Sequence, residues 1–127
     1  QVWELSLKWI AKLIDLSPVD LPIIVYANTK AKGLTEISKV KPQALGVHHA
    51  VDLAEIRKML PTPLVLQGNL DPEIMSSNPE NVRTETLKIL ESLKGDPAHI
   101  MNLGHGIRPN AKIECMEELV ETVISFA

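Results

Sequence analysis

The chain has 127 residues, 13 Lys and Arg against 16 Asp and Glu, a formal net charge of -3, and 45% hydrophobic residues. That is the balance of one globular domain with a usable core, and it is too short for a closed (β/α)8 barrel, which takes about 250 residues. A mildly acidic chain whose only aromatics are Trp3, Trp9, Tyr26 and Phe126 offers neither the basic footprint nor the stacking rings of a nucleic-acid binder.

The first element is a helix. Trp9, Leu13 and Leu16 make one apolar stripe and Leu7, Ile10 and Ile14 a second beside it, which predicts a broad buried face. Four short apolar runs follow, at residues 22–27, 44–48, 62–67 and 98–103. They are continuous rather than alternating and bounded by Pro, Gly, Asp or Asn, as expected for strands buried on both faces of a parallel sheet. Helical patterns over about residues 31–39 and 52–60 separate the first three. The basic group Lys30, Lys32, Lys39 and Lys41, interrupted by Glu36, fits the solvated side of the first of these helices.

Asn78, Pro79 and Glu80 read as an N-cap, a proline at the first helical position and an acid in the first turn. Val82, Thr86, Ile89, Leu90 and Leu93 then form the stripe, and Gly95 ends the helix. In the last helix Ile113, Met116, Val120 and Val123 recur at helical steps, with Glu114, Glu117, Glu118 and Glu121 between them; this predicts an amphipathic helix with an acidic outer side. The single cysteine, Cys115, rules out an internal disulfide or a Cys-x-x-Cys site, and its acidic neighbours predict a structural thiol.

Helices alternating with strands in this order predict a parallel α/β sheet with right-handed crossovers. No apolar run approaches the 18 to 20 or so residues of a membrane span, and no signal-peptide pattern opens the chain. The expectation is a soluble cytoplasmic protein with no membrane and no nucleic-acid partner.

In parallel α/β folds the ligand lies beyond the carboxyl ends of the strands. Those ends carry Asn28, then His48 and His49, then Gln67-Gly68-Asn69-Leu70-Asp71-Pro72, then Asn102-Leu103-Gly104-His105-Gly106-Ile107. In the last, two glycines allow positive φ and close approach of a ligand, and the imidazole between them can donate, accept or carry charge near neutral pH; a turn histidine with a satisfied hydrogen bond is the other reading. Asn69 and Asp71 read as caps of the following backbone, with Pro72 opening a short helix, or Asp71 as an acid or base. His48 and His49, if still in a strand, point to opposite faces and cannot share a metal ion. His99, at the start of its strand, reads as structural. No nucleotide-binding glycine motif and no nucleophile elbow occurs.

Residues 66–72 (Leu-Gln-Gly-Asn-Leu-Asp-Pro), followed some thirty positions later by Asn102-Leu103-Gly104-His105-Gly106-Ile107 and an acidic last helix, closely resemble the C-terminal part of the uroporphyrinogen decarboxylase family. The resemblance runs from about residue 22 to 126. It implies that residues 1–127 are a single partial domain, the C-terminal half of a (β/α)8 TIM barrel with four parallel strands alternating with helices. It also implies an enzyme of tetrapyrrole and heme biosynthesis, a homodimer in the cytoplasm that decarboxylates the four acetate side chains of uroporphyrinogen III with no metal or organic cofactor. His105 matches the histidine of the family's Gly-His-Gly loop and is implied to be a substrate-binding residue that supports catalysis, with Gly104, Gly106, Gln67, Asn69 and Asp71 shaping the pocket. Arg108 is placed to meet a carboxylate or to be a surface residue.

The family's arginine loop, central aspartate and pocket tyrosine would fall before Gln1, and His48-His49 stand where relatives often have Asp-Trp. The chain alone is therefore expected to be inactive, and with open sheet edges to be oligomeric or poorly folded. Two other readings share the fold: an inactive domain that binds a tetrapyrrole or a partner, and a corrinoid-linked methyltransferase. The second needs a zinc-binding cysteine at a strand end, a place that Cys115 does not occupy.

Overall fold

The computed structural model describes residues 2–61 and 63–127. Helix α1 (Val2–Leu16) leads into strand β1 (Ile24–Tyr26), α2 (Ala31–Ser38), β2 (Ala44–Gly46), α3 (Leu53–Met59), β3 (Val65–Gln67), a 3-10 turn (Pro72–Ser76), α4 (Pro79–Ser92), β4 (His99–Ile100) and α5 (Ile113–Phe126). The strands pair in parallel in the order β1-β2-β3-β4, which is the expected α/β arrangement: each helix returns the chain to the next position in the sheet. Thr62, where the third apolar run begins, lies outside the described residues. Among those described, no helix is long and apolar enough to cross a membrane.

The strands are shorter than the apolar runs: outside them Val47 and Leu64 are buried, whereas Pro22, Pro63 and Asn102 are exposed. Val25, Leu45 and Leu66 sit side by side in register, and Leu45 and Leu66 are fully buried. They pack with Leu34 and Ile37 of α2, Leu53 and Ile56 of α3, and Leu93 beyond α4, with Leu7 of α1 against the margin. Alternation turns the neighbouring residues the other way. There the expectation of burial on both faces fails: Ile24, Tyr26 and Ile100 are each close to half exposed. Only β2 is buried at all three positions. The open side of the sheet is thus a shallow concave surface whose outer strands meet solvent.

Helix signals at chain ends and caps are realised as local chemistry dictates. Asp52 accepts from the Glu55 N–H at 2.9 Å, and Asn78 accepts from the Asn81 N–H at 3.0 Å, each satisfying a donor that the first turn of its helix leaves free. Gly95 adopts φ +84°, a conformation that glycine takes without penalty and that turns the chain after α4.

Two helix faces differ from expectation. In α1, Trp9, Leu13 and Leu16 are exposed, and the second stripe, Leu7, Ile10 and Ile14, turns partly inward. In α5, Ile113, Met116 and Val120 are exposed, while Cys115 and Thr122 are buried, and Leu119 packs in a second cluster formed by Leu70, Met75, Val82 and Cys115. Periodicity shows that a helix has an apolar side, but the available partner decides which residues it covers. Here α5 lies along α4 through its smaller residues. The buried Cys115 is the structural thiol its surroundings suggested.

Candidate functional site

Beyond the carboxyl ends of the strands the loops converge on a concavity of about 560 Å³, lined by Tyr26, Gly46, Gln67, Asn102, His105 and Gly106 together with Met75 and Met116. Tyr26, Gly46, Gln67 and Ile100 are register partners across the sheet, so the floor of this concavity is one row of the open side. Gly46 makes room for the neighbouring ring: a Cβ there would lie 2.9 Å from Tyr26 Cδ2. A large side chain at β1 therefore needs a missing one at β2.

The Gly104-His105-Gly106 loop is held from two sides. The Tyr26 hydroxyl donates to the Gly104 carbonyl at 3.2 Å, and a Cβ at Gly104 would collide with the backbone of His49. Neither glycine of the loop has positive φ; that conformation belongs to Gly68, at +136°, where a Cβ would lie 2.9 Å from the Val47 carbonyl oxygen. Gly104 is thus a close-approach residue, and Gly106 borders open space. The His105 ring is exposed at the mouth, edge to face with Tyr26 at 6.4 Å between centroids. Its Nδ1 accepts from the Gly106 N–H at 2.8 Å, so the neutral ring carries its proton on Nε2, the nitrogen left free.

The loop after β3 divides its residues between the concavity and its support. Gln67 belongs to the floor. Asn69 is buried, and its amide donates to the carbonyls of His48 and Val51; it ties two strand-end loops together instead of capping the backbone that follows it. Asp71 does cap, accepting from the Glu73 N–H at 2.9 Å as Pro72 opens the 3-10 turn. Its Oδ1 also lies 3.3 Å from His49 Nδ1, a charge-pair distance without hydrogen-bond direction. Among the sequence-derived site residues, His105, Gln67 and Gly106 border the concavity, and Gly104, Asn69 and Asp71 stand behind it.

Because β2 ends at Gly46, the alternation that would separate His48 from His49 no longer applies. Their ring centroids are 4.1 Å apart, and His48 stands edge to face with His105 at 5.9 Å. Burial, then the neighbouring His49 and His105, hold the His48 pKa below its ordinary 6.5, with Asp71 opposing. Asn28 belongs to the adjacent depression with Thr29 and Lys30. Arg108 is a surface residue whose Nε donates to Glu73 at 2.8 Å. His99 Nε2 meets the Gly68 carbonyl at 2.7 Å and is structural. Tyr26 is the residue that sequence reasoning passed over. Its signal was an aromatic at the carboxyl end of the first strand, in register with Gln67.

A family sequence model described as uroporphyrinogen decarboxylase matches residues 1–126, so the likeness reaches through α1 as well. The chain is 32% identical to the uroporphyrinogen decarboxylase of Protochlamydia amoebophila over 123 residues, covering 97% of this chain and 34% of that protein. Against that of Coxiella burnetii it is 36% identical over 107 residues, covering 84% and 30%; against that of Neisseria gonorrhoeae, 33% over 125 residues, covering 94% and 35%. The chain spans about a third of the length of these curated relatives. With residues 1–126 matched and four parallel βα units carrying the strand-end loops, the chain belongs to the uroporphyrinogen decarboxylase family.

Proposed function

We propose that this chain forms one wall of a uroporphyrinogen decarboxylase site, acting within the full-length protein to convert uroporphyrinogen III to coproporphyrinogen III. The observation that carries the reading is the free Nε2–H of His105 at the mouth of a strand-end concavity floored by Tyr26 and Gln67. The proposed setting is a cytoplasmic homodimer.

The reaction asks little of individual side chains. Protonation of a pyrrole carbon makes the ring electron-deficient. The bond between the acetate methylene and its carboxyl carbon then breaks, its electrons enter the ring and carbon dioxide leaves; a proton delivered to the methylene completes a methyl group, and the ring carbon gives up its added proton to restore the pyrrole. The substrate supplies the electron sink, so the protein has to orient the macrocycle, stabilise positive charge and move protons. His105 donates from Nε2 to a substrate carboxylate and supports proton transfer at the departing acetate. Gln67 and Gly106 border the ring, while Gly104, Asn69 and Asp71 hold the loops that position them.

In the full-length protein, His105→Gln should lower turnover of uroporphyrinogen III by about tenfold to a hundredfold and build up partially decarboxylated porphyrinogens, with the thermal unfolding midpoint unchanged. Equal turnover and an equal intermediate profile would show that His105 has no part in the reaction.

A further inference from the structure

The role given to His105 leaves two neighbouring imidazoles unused. His48 and His49 come from the β2–α3 loop and His105 from the β4–α5 loop, yet the three rings form one cluster, with centroids 4.1 and 5.9 Å apart along the series. The loops cannot drift apart freely, because the His49 backbone packs against Gly104 and Asn69 ties the carbonyl of His48 to the loop after β3.

The hydrogen bonds orient the rings. His48 Nδ1 accepts from the Ala50 N–H at 3.1 Å, and His105 Nδ1 from the Gly106 N–H at 2.8 Å. Both neutral rings therefore keep a proton on Nε2, and among the described residues no acceptor meets it. His49 Nδ1 is buried without a hydrogen bond, 3.3 Å from an Asp71 carboxylate oxygen. A protonated His49 thus has its counter-ion beside it. Among the described residues no carboxylate pairs directly with His48 or His105, so the acceptor that would complete them is an anion brought by a ligand.

We propose that His48 and His105 together form a subsite for one carboxylate of the ligand, each donating from Nε2, with the His49–Asp71 pair as its rear wall. The inference rests on the reading above only for the identity of the molecule that brings the carboxylate. The other charged groups facing His48 are Lys30 at the start of α2 and Asp52 and Glu55 at the start of α3, which line the depression on its far side with it. Asp52 is occupied as the cap of α3, and Glu55 pairs with Lys58 at 2.7 Å, so neither offers His48 a ready counter-ion. Tyr26 contributes a neutral ring edge to His105.

Without the anion, protonating His48 adds charge beside two other imidazoles; with the anion bound, the same proton is stabilised. Binding is therefore coupled to proton uptake and strengthens as pH falls towards the imidazole range.

The test uses full-length protein and pyromellitate, a planar tetracarboxylate, as the probe, with imidazole resonances followed by NMR between about pH 5.5 and pH 8. Saturating probe should raise the apparent pKa of His48 and perturb the ring resonances of His48 and His105 together, and probe affinity should rise about tenfold from pH 8 to pH 6. His48→Gln should lose about tenfold in affinity at pH 6 and flatten the pH dependence. Probe affinity independent of pH, a His48 resonance that titrates alike with and without probe, or a His105 resonance that the probe leaves unmoved, overturns the proposal on the native protein whether or not the variant folds.

With uroporphyrinogen III as substrate, His48→Gln should raise KM about tenfold and leave kcat within about twofold; a fall in kcat at constant KM also overturns it. Absence of turnover by the unaltered protein would count against the decarboxylase reading alone, because the probe titration stands without it.

Discussion

At the scale of single residues, the two glycines flanking His105 do different work. A Cβ at Gly104 would collide with the His49 backbone, whereas one at Gly106 meets nothing within 4 Å. Gly104→Ala should therefore cost about 1 to 3 kcal/mol as the loops are forced apart, and Gly106→Ala less than about 0.5 kcal/mol; urea denaturation of the two variants measures the difference, and equal losses would mean that the loops give way easily. His48 provides a pH-dependent counterpart. Its folded pKa lies below the ordinary 6.5, first through burial and then through its imidazole neighbours. The unfolded chain thus takes up this proton more readily, and the stability contributed by neutral His48 is complete above about pH 6.5 and lost as pH falls through the lowered value. Denaturation midpoints taken without ligand should fall less steeply on acidification in His48→Asn than in the native protein; parallel curves would refute this. Of these details the chain disclosed only residue types. That His48, His49 and His105 meet follows from β2 ending at Gly46, a tertiary fact with no local signal.

At the scale of elements, helix α4 was legible throughout, from its Asn78 cap and Pro79 to the positive φ of Gly95, because each signal acts within a turn of its own position. Asn78→Ala should lower stability by about 1 kcal/mol, measured as a shift in denaturation midpoint at unchanged slope; no shift would mean that another acceptor satisfies the first turn. Helices α1 and α5 were legible as helices but not in their orientation. Both have more apolar surface than one neighbour can cover, and contact went to Leu7 in α1 and to Cys115, Leu119 and Thr122 in α5. Across α4 and α5, Arg83 and Glu118 pair at 2.7 Å, and the Thr122 hydroxyl also donates to that carboxylate. A glutamate that reads as part of an acidic outer side is thereby drawn into the helix contact, and its pKa is lowered chiefly by the hydrogen bond from Arg83.

For the whole molecule, the sheet has two ends with different chemistry. Polar loops gather at the carboxyl ends, and a single side chain fastens the opposite end: Arg57 of α3 donates from Nη1 to the Leu64 carbonyl at 2.7 Å and from Nη2 to the Ala98 carbonyl at 2.8 Å. Its Nε also lies 2.6 Å from Asp96 Oδ2, both side chains being largely buried. Arg57→Leu leaves Asp96 and two carbonyls without this partner and should destabilise the protein by roughly 3 kcal/mol, read by urea denaturation; a loss below about 1 kcal/mol would show that water replaces it. The sequence by itself determined the alternation of helices and short parallel strands, the caps, the strand-end loops and the family, because periodicity, capping and motif spacing are properties of neighbouring residues. The tertiary structure decided which apolar faces are covered, that Asn69 braces a loop while Asp71 caps one, that Tyr26, Gln67 and His105 border one concavity, and that His48 and His49 gather beside His105. Those outcomes depend on contacts between segments distant in the chain, where register and the ends of strands select which side chains meet.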